Sequence, residues 1–390
     1  MGEDAALPLI LITVGAILMP GFARKLSIPV AIVEILYGLI LGESVFGIIG
    51  NTHGTFISFL SEVGFAFFLF LAGLEINFER LEKQGIHALI LPVVIATSAF
   101  GFTIGVSIWQ EWGIWVGLAT GATSVPLLLA IVTELRLGNT NLGKTMITLA
   151  AVGETLTILF LSVVEIHHHS ENTTEIIQGF ARLFGLVLAM LVVVYLLRTL
   201  LWWYPNYFKQ LIAHDDPSEV GVRVGFGLMF AFIGLSNLAH VEPFLGAFIA
   251  GALLSFVIRD KGALEHKLSS MAYGFFVPVF FIHVGISLEI TLELFAEHAL
   301  WLISLVGLMF FAKMIPGLLL LFQRMRMSEV VATSSLLAAP LTLVIAIMDL
   351  GVRAGSVDNS TNAVVITAGI LASLLFPIVA KTLLQGKNSA

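Results

Sequence analysis

Glu154 lies inside the apolar run AVGETLTILFLSVV, and Lys313 lies inside FFAKMIPGLLLLF. A charged group at the centre of a bilayer costs roughly 3 kcal/mol to insert, so an acid or base set alone in such a run marks a path for ions or protons. One buried carboxylate can be neutralised by a proton or by a monovalent cation, and each removes the charge that attracts the other. That competition is enough to exchange one for the other. Glu154 is therefore the candidate proton site and the candidate metal site for Na+ or K+, with Lys313 as the supporting charge. Hydroxyls and freed backbone carbonyls are hard oxygen ligands suited to sodium, potassium or lithium. Thr123, Ser124 and Thr155 are the candidate ligands beside Glu154, followed by Thr157. Each also has the plainer reading of a hydroxyl bonded back to the preceding helical turn.

Other residues stand out less. Glu34 and His283 fall within apolar runs and Asp349 near the end of one; all three are accessory candidates. His167, His168 and His169 form a loop run with no fixed ligand geometry, so a solvated loop is the favoured reading over a metal site or pH sensor. The sequence HDDP at 214–217 reads as a solvated linker. Neither a phosphate-binding glycine loop in a strand–helix context, nor zinc spacing, nor a nucleophile elbow is present. The chemistry is that of a transporter, not an enzyme, and it calls for no cofactor beyond the transported Na+, K+ or Li+ and protons.

The elements that hold these residues are membrane helices. Of 390 residues 58% are hydrophobic and 12% charged, about half the charge of a soluble domain, and mean hydropathy is +1.00. Cysteine is absent, which excludes disulfides and thiolate chemistry. The N-terminus MGEDAALPLI is acidic and does not read as a cleaved signal peptide. Apolar runs between polar breaks predict about 13 spans in an all-α polytopic membrane protein. They fall at 6–20, 28–48, 55–76, 86–109, 113–135, 142–166, 176–201, 219–239, 242–259, 270–288, 297–323, 328–351 and 360–384.

These spans place 16 of the 19 Lys and Arg on one side, all but Arg182, Lys313 and Arg353. By the positive-inside rule that side is cytoplasmic, with the N-terminus outside and the C-terminus inside. Lipid is the one partner composition demands, and nucleic acid is not expected. The loops leave no room for a soluble regulatory domain, so any such function falls to a separate subunit.

The two halves echo each other. GATSVPLLLAIV around Pro126 is similar to LLAAPLTLVIAI around Pro340, at a separation of 214 (340 − 126). PVAIVEILYGLILG from Pro29 is similar to PFLGAFIAGALLSF from Pro243, again at 214 (243 − 29). FFLFLAG at 67–73 pairs with VFFIHVG at 279–285, at 212 (285 − 73). The shift is seven spans, an odd number, so the copies cross the membrane in opposite directions. This is the inverted-topology repeat of secondary transporters. The division is 1–166 for the first repeat (spans 1–6), 167–218 for a linking helix and cytoplasmic loop, and 219–390 for the second repeat (spans 8–13). Pro126 and Pro340 lie mid-span, Thr123 and Ser124 just before one and Thr342 just after the other. Two broken helices in repeat-related positions are expected, with their free ends near the midplane.

The motifs PVAIVEILYGLILG, FLSEVGFAFFLFLAGLEINFERL, GATSVP, GAFIAGALLSF and FFVPVFFIHVGISLEI together resemble the bacterial monovalent cation/proton antiporter-2 family of the sodium/hydrogen exchanger superfamily, over about residues 8–381. The resemblance implies the sodium/proton antiporter fold: a core bundle with two crossing, locally unwound helices, and a second bundle that forms a homodimer interface. It implies sodium or potassium exchange for protons by elevator-like alternating access in the bacterial inner membrane. It assigns the ion-binding carboxylate to Glu154, where the family usually has Asp, and the intramembrane Lys to Lys313. Position 153 is Gly, where the family usually has Asp, Asn or Gln.

That departure leaves two arrangements. Lys313 caps carbonyls of an unwound helix and Glu154 alone cycles, giving electroneutral 1:1 exchange; or Lys313 pairs with Glu154 and yields its own proton, giving two protons per cation. A glycine at 153 favours the first. Two other functions remain open: a sodium-coupled organic-anion transporter of related fold, in which Lys313 holds the anion, and the membrane part of a potassium/proton efflux system. A channel or proton-conducting subunit of a larger complex ranks last, because this chain has one acid–base pair and not a series.

Overall fold

In a bilayer every backbone N–H and C=O must be satisfied within the protein, which leaves an apolar run little choice but a helix. A computed structural model describes residues 6–26, 28–50, 56–76, 87–138, 140–168, 172–203, 219–239, 243–258, 262–288 and 292–385. Its helices are α1 (Ala6–Leu26), α2 (Val30–Leu41), α3 (Phe56–Glu75), α4 (His87–Trp109), α5 (Ile114–Gly121), α6 (Val125–Glu134), α7 (Asn141–His168), α8 (Thr173–Trp203), α9 (Val220–Leu238) and α10 (Pro243–Val257). They continue with α11 (Gly262–Met271), α12 (Val277–Ser287), α13 (Leu292–Gly317), α14 (Met327–Leu337), α15 (Leu341–Arg353) and α16 (Asn359–Gln385). Among the described residues the fold is wholly helical, and nine helical stretches are long and apolar enough to cross a membrane. Large apolar side chains face outward, Ile17 at 70% and Leu300 at 82% exposure, as lipid requires and water does not favour.

The spans read from hydropathy differ in places. The first helix runs through Pro20 to Leu26 instead of ending there. The second ends at Leu41, well short of 48. The tenth begins at Gly262 and passes through a π-helical turn, Ala272–Phe276, just ahead of Pro278. A proline has no N–H to return to the carbonyl four residues back, and the wider turn accommodates that loss. His167 and His168 fall at the end of α7 and not in a loop, while His169 and the HDDP run at 214–217 lie outside the described residues.

Two compact units form, and each draws on both halves of the chain. The first comprises Met1–Gly21, Asn51–Lys83 and Glu165–His283; the second comprises Phe22–Gly50, Gln84–Val164 and Val284–Ala390. The first unit centres on α3, which is buried around nearly its whole circumference. Phe65 stacks between Phe244 (4.3 Å) and Phe280 (5.0 Å), and Phe67 meets Phe226 and Phe276. The second unit holds both broken helices, α5–α6 and α14–α15.

The repeat is visible as matched helix contacts. In the first unit, a side chain at Gly73 of α3 would collide with the Phe248 carbonyl of α10 and sit 2.7 Å from the Ala252 nitrogen. In the second, a side chain at Gly285 of α12 would collide with the Ile35 carbonyl of α2 and sit 2.9 Å from the Leu39 nitrogen. The glycines are 212 apart (285 − 73) and their partners 213 (248 − 35 and 252 − 39). The same backbone-to-backbone approach has been built twice, which only glycine at the contact permits.

Candidate functional site

The first break begins where α5 ends at Gly121. Ala122 turns to ψ 156° and Ser124 is extended (φ −126°, ψ 140°). Pro126 has no N–H to return to the Ala122 carbonyl and sits in the first turn of α6, where none is needed. The second break falls at 338–340, and Pro340 is the residue from which α15 starts. Both breaks are buried: Thr123, Ser124, Ala338 and Ala339 are each under 5% exposed.

A break leaves backbone groups without helical partners, and two other helices, α13 and α7, supply them. The carbonyl of Gly121 accepts a hydrogen bond from the Lys313 ammonium of α13, which also lies 5.3 Å above the Phe100 ring. A cation at the C-terminal end of α5 offsets the negative end of that helix dipole. The N–H of Thr123 donates to the Thr157 hydroxyl of α7 (3.2 Å), and that hydroxyl donates to the Gly153 carbonyl (2.7 Å). The hydroxyls of Ser124 and Thr342 meet at 3.1 Å and so link the two breaks directly. Ser334 of α14 donates to the Lys313 carbonyl (3.3 Å), three residues ahead of Pro316 within α13.

Glu154 follows Gly153 on α7 and is 1% exposed; Lys313 is 2% exposed. Thr123, Ser124, Thr342, Lys313 and the turn bearing Glu154 are thus one group of side chains. Thr155 donates to the Ala151 carbonyl (2.8 Å), the ordinary helical back-bond. The accessory candidates lie on other elements. Glu34 is buried on α2, and His283 is half-buried on α12 in the first unit. Asp349 pairs with Arg353 at 2.9 Å, one turn along α15. Among the described residues no three His, Asp or Glu side chains gather at metal-ligand spacing. Sequence reasoning expected Lys313 to cap carbonyls of an unwound helix without singling out Gly121, and it missed Ser334. It ranked Thr157 last of the hydroxyls, although Gly153-x-x-x-Thr157 puts two small residues on one helix face, a signature of close approach.

Residues 10–386 match the sodium/hydrogen exchanger transmembrane family model. The chain belongs to the sodium/hydrogen exchanger family. Among its relatives, YjbQ of Bacillus subtilis is 27% identical over 98% of this chain and 64% of its own length. The Na(+)/H(+) antiporter of Enterococcus hirae is 23% identical over 96% of each chain, and K(+)/H(+) antiporter 1 of Saccharomyces cerevisiae is 22% identical over 85% of this chain and 40% of its own. The sodium proton antiporter MjNhaP1 of Methanocaldococcus jannaschii shares the fold, with a TM-score of 0.68 at 16% identity over 97% of each chain. The family is one of membrane transporters, not enzymes, and its members exchange cations for protons.

Proposed function

We propose that this chain exchanges one monovalent cation, Na+ or K+, for one proton, with Glu154 as the shared site. The observation that carries this reading is the engagement of Lys313 with the Gly121 carbonyl. An ammonium held on the end of a half-helix serves as a cap, which leaves Glu154 to bind the exchanged ion. Gly153 adds no second acid. A cation bound at Glu154 would draw further oxygens from Thr123 and Ser124 and from carbonyls of the breaks. Proton binding empties the site of charge, and either neutral form can then move between the two faces by alternating access.

The surrounding assignments belong to the same reading. The repeats are 1–166 and 219–390, joined by 167–218. The protein is a homodimer in the bacterial inner membrane, with its N-terminus outside and its C-terminus cytoplasmic.

The test is proton flux in reconstituted liposomes under an imposed pH gradient, with sodium, potassium and lithium added in turn. The native chain gives cation-triggered flux, and Glu154→Gln gives none while remaining folded. Flux that persists in the variant, or a native chain that answers to none of the three cations, overturns the reading.

A further inference from the structure

The proposed function leaves one buried polar connection unused. Thr157 is fully buried on α7, one turn beyond Gly153. A helical threonine that returns its hydroxyl hydrogen to the carbonyl four residues back is common. Thr155 does this, and so does Thr157. Thr157 differs in what it accepts. Its oxygen takes the N–H of Thr123, a residue 34 positions away in the unwound segment between α5 and α6. That N–H has lost its helical acceptor because the helix stops at Gly121, and a buried donor without an acceptor is costly in a membrane. A hydroxyl can give one hydrogen and accept two, so both bonds form at once.

The contact needs the missing side chain at 153. A Cβ there would lie 2.9 Å from Thr123 Cβ, 3.0 Å from its Cγ2 and 3.1 Å from its Oγ1. Thr123 occupies the volume that a side chain at 153 would fill, and this close seating brings its N–H within reach of Thr157. Gly153 provides the space and its carbonyl takes the hydrogen at the end of the chain. The next residue is Glu154.

We propose that Thr157 is a positioning residue for transport: it ties the unwound segment bearing Thr123 and Ser124 to the turn bearing Glu154, so that the carboxylate and its neighbouring oxygens keep one geometry. This rests on Glu154 as the ion site. It also makes the close fit of Thr123 on Gly153 the reason that this chain carries a single acid there. Thr157 is not itself a ligand in this account, because its donor and one of its acceptor positions are already engaged.

Two measurements on purified, folded protein test it, with Thr157→Val (same shape, no hydroxyl) and Thr157→Ser (hydroxyl kept). The first is hydrogen–deuterium exchange of the peptide covering 119–126, without cation. The Thr123 amide exchanges slowly in the native chain and in Thr157→Ser, and faster in Thr157→Val. The second is cation-dependent proton flux in liposomes. Thr157→Val raises the half-saturating cation concentration roughly tenfold, about the worth of one hydrogen bond, with little change at saturating cation, and Thr157→Ser restores it. If Thr157→Val does not fold, Thr157→Ala takes its place.

Fast native exchange at Thr123 overturns the proposal without any variant. Equal exchange in native and Val forms overturns it, and so does an unchanged half-saturation. The exchange measurement reads the tie whether or not the chain transports cations, so its failure is distinct from failure of the Glu154 reading, which shows as a native chain with no flux.

Discussion

At the scale of single residues, the proposed exchange gives Glu154 and Lys313 separate duties. The carboxylate would be the shared site, while the ammonium closes the end of a half-helix. The two duties respond differently to substitution. Lys313→Met leaves the Gly121 carbonyl buried without its donor, which should cost about 1–3 kcal/mol. Lys313→Gln retains an N–H to offer and should lose less. Thermal unfolding of both variants in detergent checks this: a lower midpoint for Met than for Gln is expected, and the reverse order argues against a capping role. The acid and the base were legible in the sequence because each stands alone in an apolar run. The Gly121 carbonyl was not, because nothing in the sequence around Lys313 says which of many broken-helix carbonyls its side chain will reach. Thr157 was hidden for a related reason, since a back-bonded threonine looks the same from sequence whether or not its oxygen accepts a second hydrogen.

At the scale of elements, glycine seats the helices, and Pro126 and Pro340 lie where two of them break. Gly251 of α10 lies against the Phe70 carbonyl of α3, and a Cβ there would be 2.9 Å from the Leu74 nitrogen. Backbone cannot retreat as a flexible side chain can, so Gly251→Val should separate α3 from α10 and abolish the folded monodisperse peak in size-exclusion chromatography. Gly227 faces open space, so Gly227→Ala should leave that peak unchanged. The capping of α16 makes a pH prediction. Asp358 lies just ahead of the helix and accepts hydrogen bonds from the Ser360 hydroxyl and the Thr361 N–H. These bonds, Ser360 first, hold its carboxyl at about 2, below the ordinary 3.8. A depressed value means the cap stabilises the fold fully above the ordinary value and is lost as pH falls through the folded one. Asp358→Ala should therefore destabilise by roughly 1 kcal/mol near neutrality, the usual worth of an N-cap, and the difference from native should shrink below about pH 4. Chemical denaturation at several pH values measures it. The breaks were legible because the prolines recur at matched positions. The end of α2 at Leu41 was not, because the apolar pattern continues beyond it: Val45, Phe46 and Ile48 extend the run without extending the helix.

At the scale of the whole molecule, the inverted repeat read from the sequence is the device by which the proposed exchange would face two ways. The contact at Gly73 and its counterpart at Gly285 repeat one close approach, so one sequence plan builds related packing in both units. In the proposed exchange one cation crosses against one proton in each cycle, which moves no net charge. Sodium-driven proton flux in liposomes should accordingly be unaffected by collapsing the membrane potential with a permeant anion such as thiocyanate, read with a pH-sensitive dye. The central claim is that a proton and a cation compete for Glu154, and proton release on binding tests it most directly. Calorimetric titration of the purified protein with the transported cation, in buffers of different ionisation enthalpy, counts protons released per cation bound. As pH is lowered, the account predicts a count that rises to one and stays there, with none released by Glu154→Gln. A count that climbs toward two would give Lys313 a proton of its own to yield, and a count of zero at every pH would contradict a shared site.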